Sequence, residues 1–165
     1  MSDHLFDAAI VDHLLDSFDS DFLNIGVDQK LDSIFDLEDA MKVQTRGNRV
    51  TDIGKKLSDY DAIDIGLFVC PVEIFDYFEG AKSRSGRNDC SLADGVRLMA
   101  DNDKVRAIDI GDGWWQDVDT PSMISVRPFL QSQLAAASKS AAATSRSSMH
   151  SNRPKQPTFV WCNEL

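Results

Sequence analysis

Residues 63–70, IDIGLFVC, form an apolar run of strand length interrupted by Gly66, and this run does most to set the fold class. A run so short and so apolar reads as a strand buried within a sheet. Residues 22–27, 40–44, 49–53 and 105–110 also read as strands, and Arg46-Gly47-Asn48 turns the second into the third as a hairpin. Helical stretches lie between them. Ala8, Val11, Leu15 and Phe18 recur at helical spacing with Leu14 beside them, behind Asp7 as N-cap. Pro71 opens a helix over 72–79, followed by a basic loop over 80–88. Leu92, Val96 and Met99 mark a helix over 91–100, capped by Asp89 or Ser91. Thr120-Pro121-Ser122 starts a short last helix that Pro128 stops. Strands and helices in this order predict an α/β domain with a mixed sheet flanked by helices.

Composition changes near residue 133. Residues 134–151 are mostly Ala and Ser without an apolar stripe, so 1–132 is expected to be the domain and 133–165 a disordered or weakly helical tail. Four basic residues against Glu164 give the tail a net +3, leaving −13 of the total −10 on the first 132 residues. Such a field repels nucleic acid and anionic membranes, but not a phosphorylated substrate whose charge is offset locally. No apolar run approaches the ~18 residues of a membrane span. The N-terminal residues lack the basic start and apolar core of a signal peptide, so a cytoplasmic setting is expected. Cys70, Cys90 and Cys162 are odd in number and widely spaced, which indicates neither a disulfide framework nor a zinc site.

Several segments have the chemistry of a site. In WWQDVDTP, an extended backbone puts Asp117 and Asp119 on one side, where both can face a hard cation such as Mg²⁺. The same pattern fits a solvated Asp117 beside a capping Asp119. Asp3 is a second candidate ligand, or else an ordinary terminal charge. Lys55 follows a strand and a Gly, where an ammonium can meet a phosphate or simply be solvated. Asp64 can accept hydrogen bonds from hydroxyls, and Gly66 within a strand marks close approach of another backbone or a ligand, or a plain bulge. Cys90 near a helix start has no His near it in sequence, and His4, His13 and His150 have no metal-ligand spacing. Trp114 and Trp115 read as core or rim packing. Lys82, Arg84 and Arg87 read as solvated charges before a phosphate loop.

In chain order, SDHLFD, VDQKLDSIFDLEDAMKV, IGKKLSDYDAIDIGLFVC, DCSLADGV and WWQDVDTP resemble the sugar-phosphate nucleotidyltransferases, above all their inositol-1-phosphate cytidylyltransferase branch. The resemblance covers roughly residues 1–126. It implies a partial Rossmann-like nucleotidyltransferase fold and a reaction in which CTP, or another NTP, and inositol or sugar 1-phosphate give a nucleotide-diphospho product and pyrophosphate. It implies Mg²⁺ as cofactor, with Asp3 and the pair Asp117 and Asp119 as metal ligands. By the same resemblance Lys55 is the catalytic lysine at the sugar phosphate, and Asp64 and Gly66 line the sugar pocket.

The departure is at the start. Family members begin with a Gly-rich GxG(T/S)RL nucleotide loop that this sequence does not contain. The expectation is therefore a C-terminal half lacking the nucleotide-binding half, marginally folded alone and inactive, with apolar sheet edges exposed. Two other readings stay open: a non-catalytic sugar-phosphate-binding or regulatory fragment, and a small acidic interaction domain.

Overall fold

The computed structural model describes residues 4–34, 36–86, 88–118 and 158–161. The chain divides into two compact units, residues 1–116 with 157–165, and residues 117–156. Only Asp117 and Val118 of the second unit are among the described residues.

The elements in order are β1 (His4–Phe6), α1 (Ala8–Ser17), β2 (Leu23–Asp28), a 3₁₀ turn (Leu31–Ser33), β3 (Lys42–Arg46), β4 (Arg49–Gly54) and β5 (Ala62–Cys70). Then follow α2 (Ile74–Ser85), α3 (Leu92–Ala100), β6 (Val105–Asp109), β7 (Trp115–Asp117) and β8 (Thr158–Trp161). The large sheet runs β2-β6-β4-β3-β5-β8, and β2 pairs additionally with β5, so the pairings return on themselves. Only the β2–β6 pair is parallel among the registers of this sheet, which makes it mixed as the sequence implies. A separate two-stranded sheet joins β1 to β7.

β5 is the centre because its side chains alternate between two cores. Phe68 and Cys70 point to one side, into a cluster with Ile74 of α2 and Val96, Met99 and Ala100 of α3. Ile65, Leu67 and Val69 point to the other, against Ile10 and Leu14 of α1 and Trp115. Burial on both faces is why this run is continuously apolar rather than alternating.

The helices differ from expectation in two places. In α1 the buried residues are Ile10 and Leu14, while Ala8 is exposed; Val11, Leu15 and Phe18 only flank the stripe. Helix α2 does not stop at residue 79. It runs through Gly80 to Ser85 and ends at Gly86 in the left-handed region, φ 67°. Lys82 therefore pairs along the helix with Glu79 at 2.7 Å, and Arg84 meets Asp101 at 3.7 Å, rather than forming a basic loop. Ser91 is the cap of α3, in a reciprocal capping box with Asp94.

Thr158–Trp161, within the stretch assigned to a tail, pairs antiparallel with β5 over Leu67–Cys70. That edge of β5 is thereby covered by the chain's own strand. The helix expected at Thr120 lies outside the described residues, as does most of the expected tail.

Candidate functional site

The site begins with a defect in the sheet. Asn24 and Ile25 of β2 face Val69 and Phe68 of β5, but Val27 faces Asp64. The register moves two residues along β2 while it moves four along β5, so β5 bulges between Asp64 and Phe68. Gly66 lies in the bulge with φ +75°. Its amide donates to Asp64 Oδ1 at 2.7 Å, closing a local turn that the Asp side chain itself makes.

The bulge brings Gly66 against the imidazole of His4. A Cβ on Gly66 would lie 3.2–3.3 Å from three ring atoms. The close approach expected of this glycine is thus to a side chain, rather than to another backbone. His4 stacks on Trp115, with ring centroids 5.9 Å apart and planes 7° from parallel. Trp115 Nε1 in turn donates to Asp28 Oδ2 at 2.8 Å.

Asp28 ends β2 and is buried. Its Oδ1 accepts from the Lys30 amide at 2.8 Å and from the Lys30 ammonium at 2.9 Å. The same ammonium donates to the Gly111 carbonyl, beyond the end of β6. β2 and β6 run parallel, so this cluster gathers at their carboxyl ends, where ligands of α/β sheets collect. Burial alone would raise the Asp28 pKa. Hydrogen bonds from Lys30 and Trp115, with the Lys30 charge, outweigh it and hold the carboxyl below its ordinary value.

A lowered pKa adds stability above the unfolded carboxylate value, and that stability is lost as pH falls through the folded value. Asp28→Ala should therefore cost about 1–3 kcal/mol near neutrality, by removing the acceptor of the part-buried Trp115 indole N–H and the partner of the Lys30 charge. The cost should shrink in acid. Urea unfolding at the two pH values measures it, and an undiminished cost in acid would show that the charge of Asp28 is irrelevant.

Asp64 lies in the same row. As a residue it keeps some surface, but its carboxyl is enclosed. Burial pushes its pKa up to about 7, against the opposing effects of the Gly66 amide and the nearby His4. At neutral pH it therefore exchanges between a hydrogen-bond donor and an acceptor.

Lys55 reaches the same end of the sheet by a different route. Gly54 at the end of β4 faces Lys42 of β3, which faces Ile63 of β5. Lys55 and Asp64 each follow one end of this row, so their backbones are two strand spacings apart, about 10 Å. The Lys55 ammonium pairs with Asp39, 3.2 Å away and largely exposed.

Asp64 and Lys55 thus lie at one level of the sheet, two strands apart, and Gly66 lies two residues further along β5, in the bulge. Asp117 ends β7 and is half-buried. Asp3 and Asp119 lie outside the described residues. Among the described residues no group of three or more His, Cys, Asp or Glu side chains is arranged to hold a metal. Cys90 donates to the Phe78 carbonyl at 3.5 Å, at the start of α3. No helix among the described residues is long and apolar enough to cross a membrane.

Sequence reasoning missed His4, Asp28, Lys30 and Lys42. Asp28 had a visible signal: an Asp directly after the apolar run LNIGV, at the carboxyl end of a strand, with a Lys two residues on. His4 had none, since its role depends on a glycine 62 residues away.

No protein-family model matches the chain. It is 37% identical over 89 residues to the "Bifunctional IPC transferase and DIPP synthase" of Thermococcus kodakarensis, covering 54% of this chain and 19% of that protein. The protein of that name from Aquifex aeolicus is 28% identical over 121 residues, covering 73% of this chain and 26% of the other. The solved inositol-1-phosphate CTP transferase from T. maritima superposes with a TM-score of 0.64 at 28% identity, covering 81% of this chain and 52% of that one. A putative glucose-1-phosphate thymidylyltransferase from Bacillus anthracis matches in fold, at a TM-score of 0.55 and 14% identity over 74% of this chain and 49% of that one. The chain spans about half the length of these solved structures, and 19% and 26% of the two curated relatives. By sequence the chain is similar to bifunctional IPC transferase and DIPP synthases, and by sequence and fold to an inositol-1-phosphate CTP transferase.

Proposed function

We propose that this chain carries the acceptor side of a Mg²⁺-dependent nucleotidyl transfer, from CTP to inositol 1-phosphate. The observation that supports it best is the strand register that sets Lys55 and Asp64 level, two strands apart, with Gly66 two residues beyond Asp64, in a sheet similar to that of an inositol-1-phosphate CTP transferase. In this reaction a phosphate oxygen of inositol 1-phosphate attacks the α-phosphorus of CTP in line. The new P–O bond gives CDP-inositol as the bond to pyrophosphate breaks. Catalysis of this kind is mostly positioning and charge neutralisation.

In this reading Lys55 holds the acceptor phosphate as a point charge, exchanging Asp39 for it. Asp64 orients the hydroxyls of the cyclitol, and Gly66 lines the pocket by its backbone, since His4 fills the space a side chain would take. Asp3, Asp117 and Asp119 are the proposed Mg²⁺ ligands. Their carboxylate oxygens are the donors a hard cation takes, and the ion would offset phosphate charge in a strongly acidic protein. The expected setting is the cytoplasm.

Calorimetric titration with myo-inositol 1-phosphate, with and without Mg²⁺, tests this. The expected result is Mg²⁺-assisted binding that Lys55→Ala weakens about 10-fold or more, the scale of one charge-assisted contact. No binding under either condition would remove the reading. Binding without turnover of CTP would leave sugar-phosphate recognition alone, and robust turnover would show that the chain is sufficient for catalysis.

A further inference from the structure

Lys42 is a lysine on the interior of the sheet, 8% exposed. It stands in the middle of a three-strand row, facing Gly54 on one side and Ile63 on the other. Its ammonium donates to three main-chain carbonyls: Glu38 at 3.0 Å, Ala40 at 3.4 Å and Lys55 at 2.9 Å. A lysine has three N–H donors, so these acceptors use its full capacity. The Tyr60 ring lies 5.7 Å away and adds a cation–π contact.

Burying an ammonium is costly, and most buried lysines sit against a carboxylate. The three hydrogen bonds to Lys42 instead come from backbone dipoles, which pins this cation to the course of two loops. One loop is 38–40, the approach to β3. The other is the turn after β4. Asp39 lies between the two pinned carbonyls of the first loop, and Lys55 is itself pinned in the second. The Asp39–Lys55 ion pair therefore spans two loops that one buried ammonium holds together.

We infer that Lys42 is a positioning residue. It fixes the main chain on both sides of the Asp39–Lys55 pair, and so sets where the Lys55 ammonium meets an acceptor phosphate. The inference rests on the reading that Lys55 contacts that phosphate. Lys42 itself touches no substrate, because its donors are already occupied.

The test is a double-mutant cycle on the full chain, with Lys42→Met, Lys55→Met and the double variant, titrated with myo-inositol 1-phosphate. Lys42→Met should weaken binding about 10-fold, and the double variant should bind no worse than Lys55→Met alone. Additive losses would mean that Lys42 does not act through Lys55, and would overturn the inference. Hydrogen exchange supplies a ligand-free readout. Amides at 39–40 and 55–57 should exchange faster in Lys42→Met, while those of β2 and β5 hold; unchanged exchange at both loops would also overturn it. If the wild-type chain binds no inositol phosphate, the functional reading fails, and exchange alone judges Lys42. If Lys42→Met does not fold, the wild-type ammonium decides: its protons should exchange slowly and show couplings to carbonyls 38, 40 and 55, and a fast-exchanging, uncoupled signal would refute the hub.

Discussion

Gly66→Val should destabilise the protein by about 2–4 kcal/mol and abolish what affinity it has for inositol phosphate. Two separate costs meet at this position. The backbone is at φ +75°, a region that L-residues enter only with strain and β-branched ones hardly at all. Any Cβ would also sit 3.2–3.3 Å from Cδ2, Nε2 and Cε1 of His4. The imidazole cannot simply back away, because Trp115 is stacked on it. Relief must come from opening the bulge, which breaks the Gly66–Asp64 hydrogen bond, or from separating β1 from β5. Chemical unfolding with hydrogen exchange at β1 and β5 measures both. Gly66→Ala carries the φ strain and the Cβ contact with His4 but adds no γ-branch, so its difference from Val reads the branch alone. A variant as stable as wild type would mean that the β5 bulge is not required for folding.

That glycine also shows what could be read from the sequence. A Gly inside an otherwise apolar run announced a bulge or the close approach of another backbone or a ligand; the bulge is present, and the close neighbour is a side chain. The identity of the neighbour was illegible, because it comes from a strand of three residues at the other end of the domain. β1 has too few residues for any period to register. It exists because β7 pairs with it and because Phe6 packs on the core around Ile65 and Val69. β8 was illegible for a related reason. Thr158–Trp161 is four residues after a long Ala/Ser stretch, and only the open edge of β5 gives it a partner. The expected end of α2 fell short because Gly80 and the Ser residues after it weaken local helix propensity. Burial of Ala81 and the left-handed stop at Gly86 carry the helix through them.

The proposed acceptor residues Lys55, Asp64 and Gly66 were named from the resemblance, and the strand register sets Lys55 and Asp64 level, two strands apart. Asp28 and Lys42 are buried charges whose partners are an indole, a neighbouring lysine and backbone carbonyls. Such roles follow from three-dimensional closure of loops, which no spacing along the chain encodes.

Asp64→Asn should remove the loss of stability with rising pH that Asp64 causes up to and through neutrality. In the unfolded chain this carboxyl titrates at the ordinary value of 3.8; in the fold, burial moves it to about 7. Between those values the native state keeps a proton that the unfolded state has released. Stability is therefore full below the unfolded value and falls as pH rises through the folded one, by something on the order of 4 kcal/mol at most. Asn keeps an oxygen to accept the Gly66 amide, so the bulge survives, but it carries no charge to bury. The variant should match wild type near the unfolded carboxylate value and exceed it in slightly alkaline solution. Asp28 cannot produce this pattern, because its lowered pKa acts in acid and in the opposite direction. Urea unfolding of both proteins on either side of neutrality is the measurement, and a parallel pH dependence would exclude Asp64 as its source. The same titration bears on recognition: above neutrality a carboxylate accepts hydrogen bonds from two polyol hydroxyls, while below it the acid donates one. Binding of inositol 1-phosphate should change more across that boundary in the wild type than in Asp64→Asn, whose remaining change is that of the ligand's own phosphate.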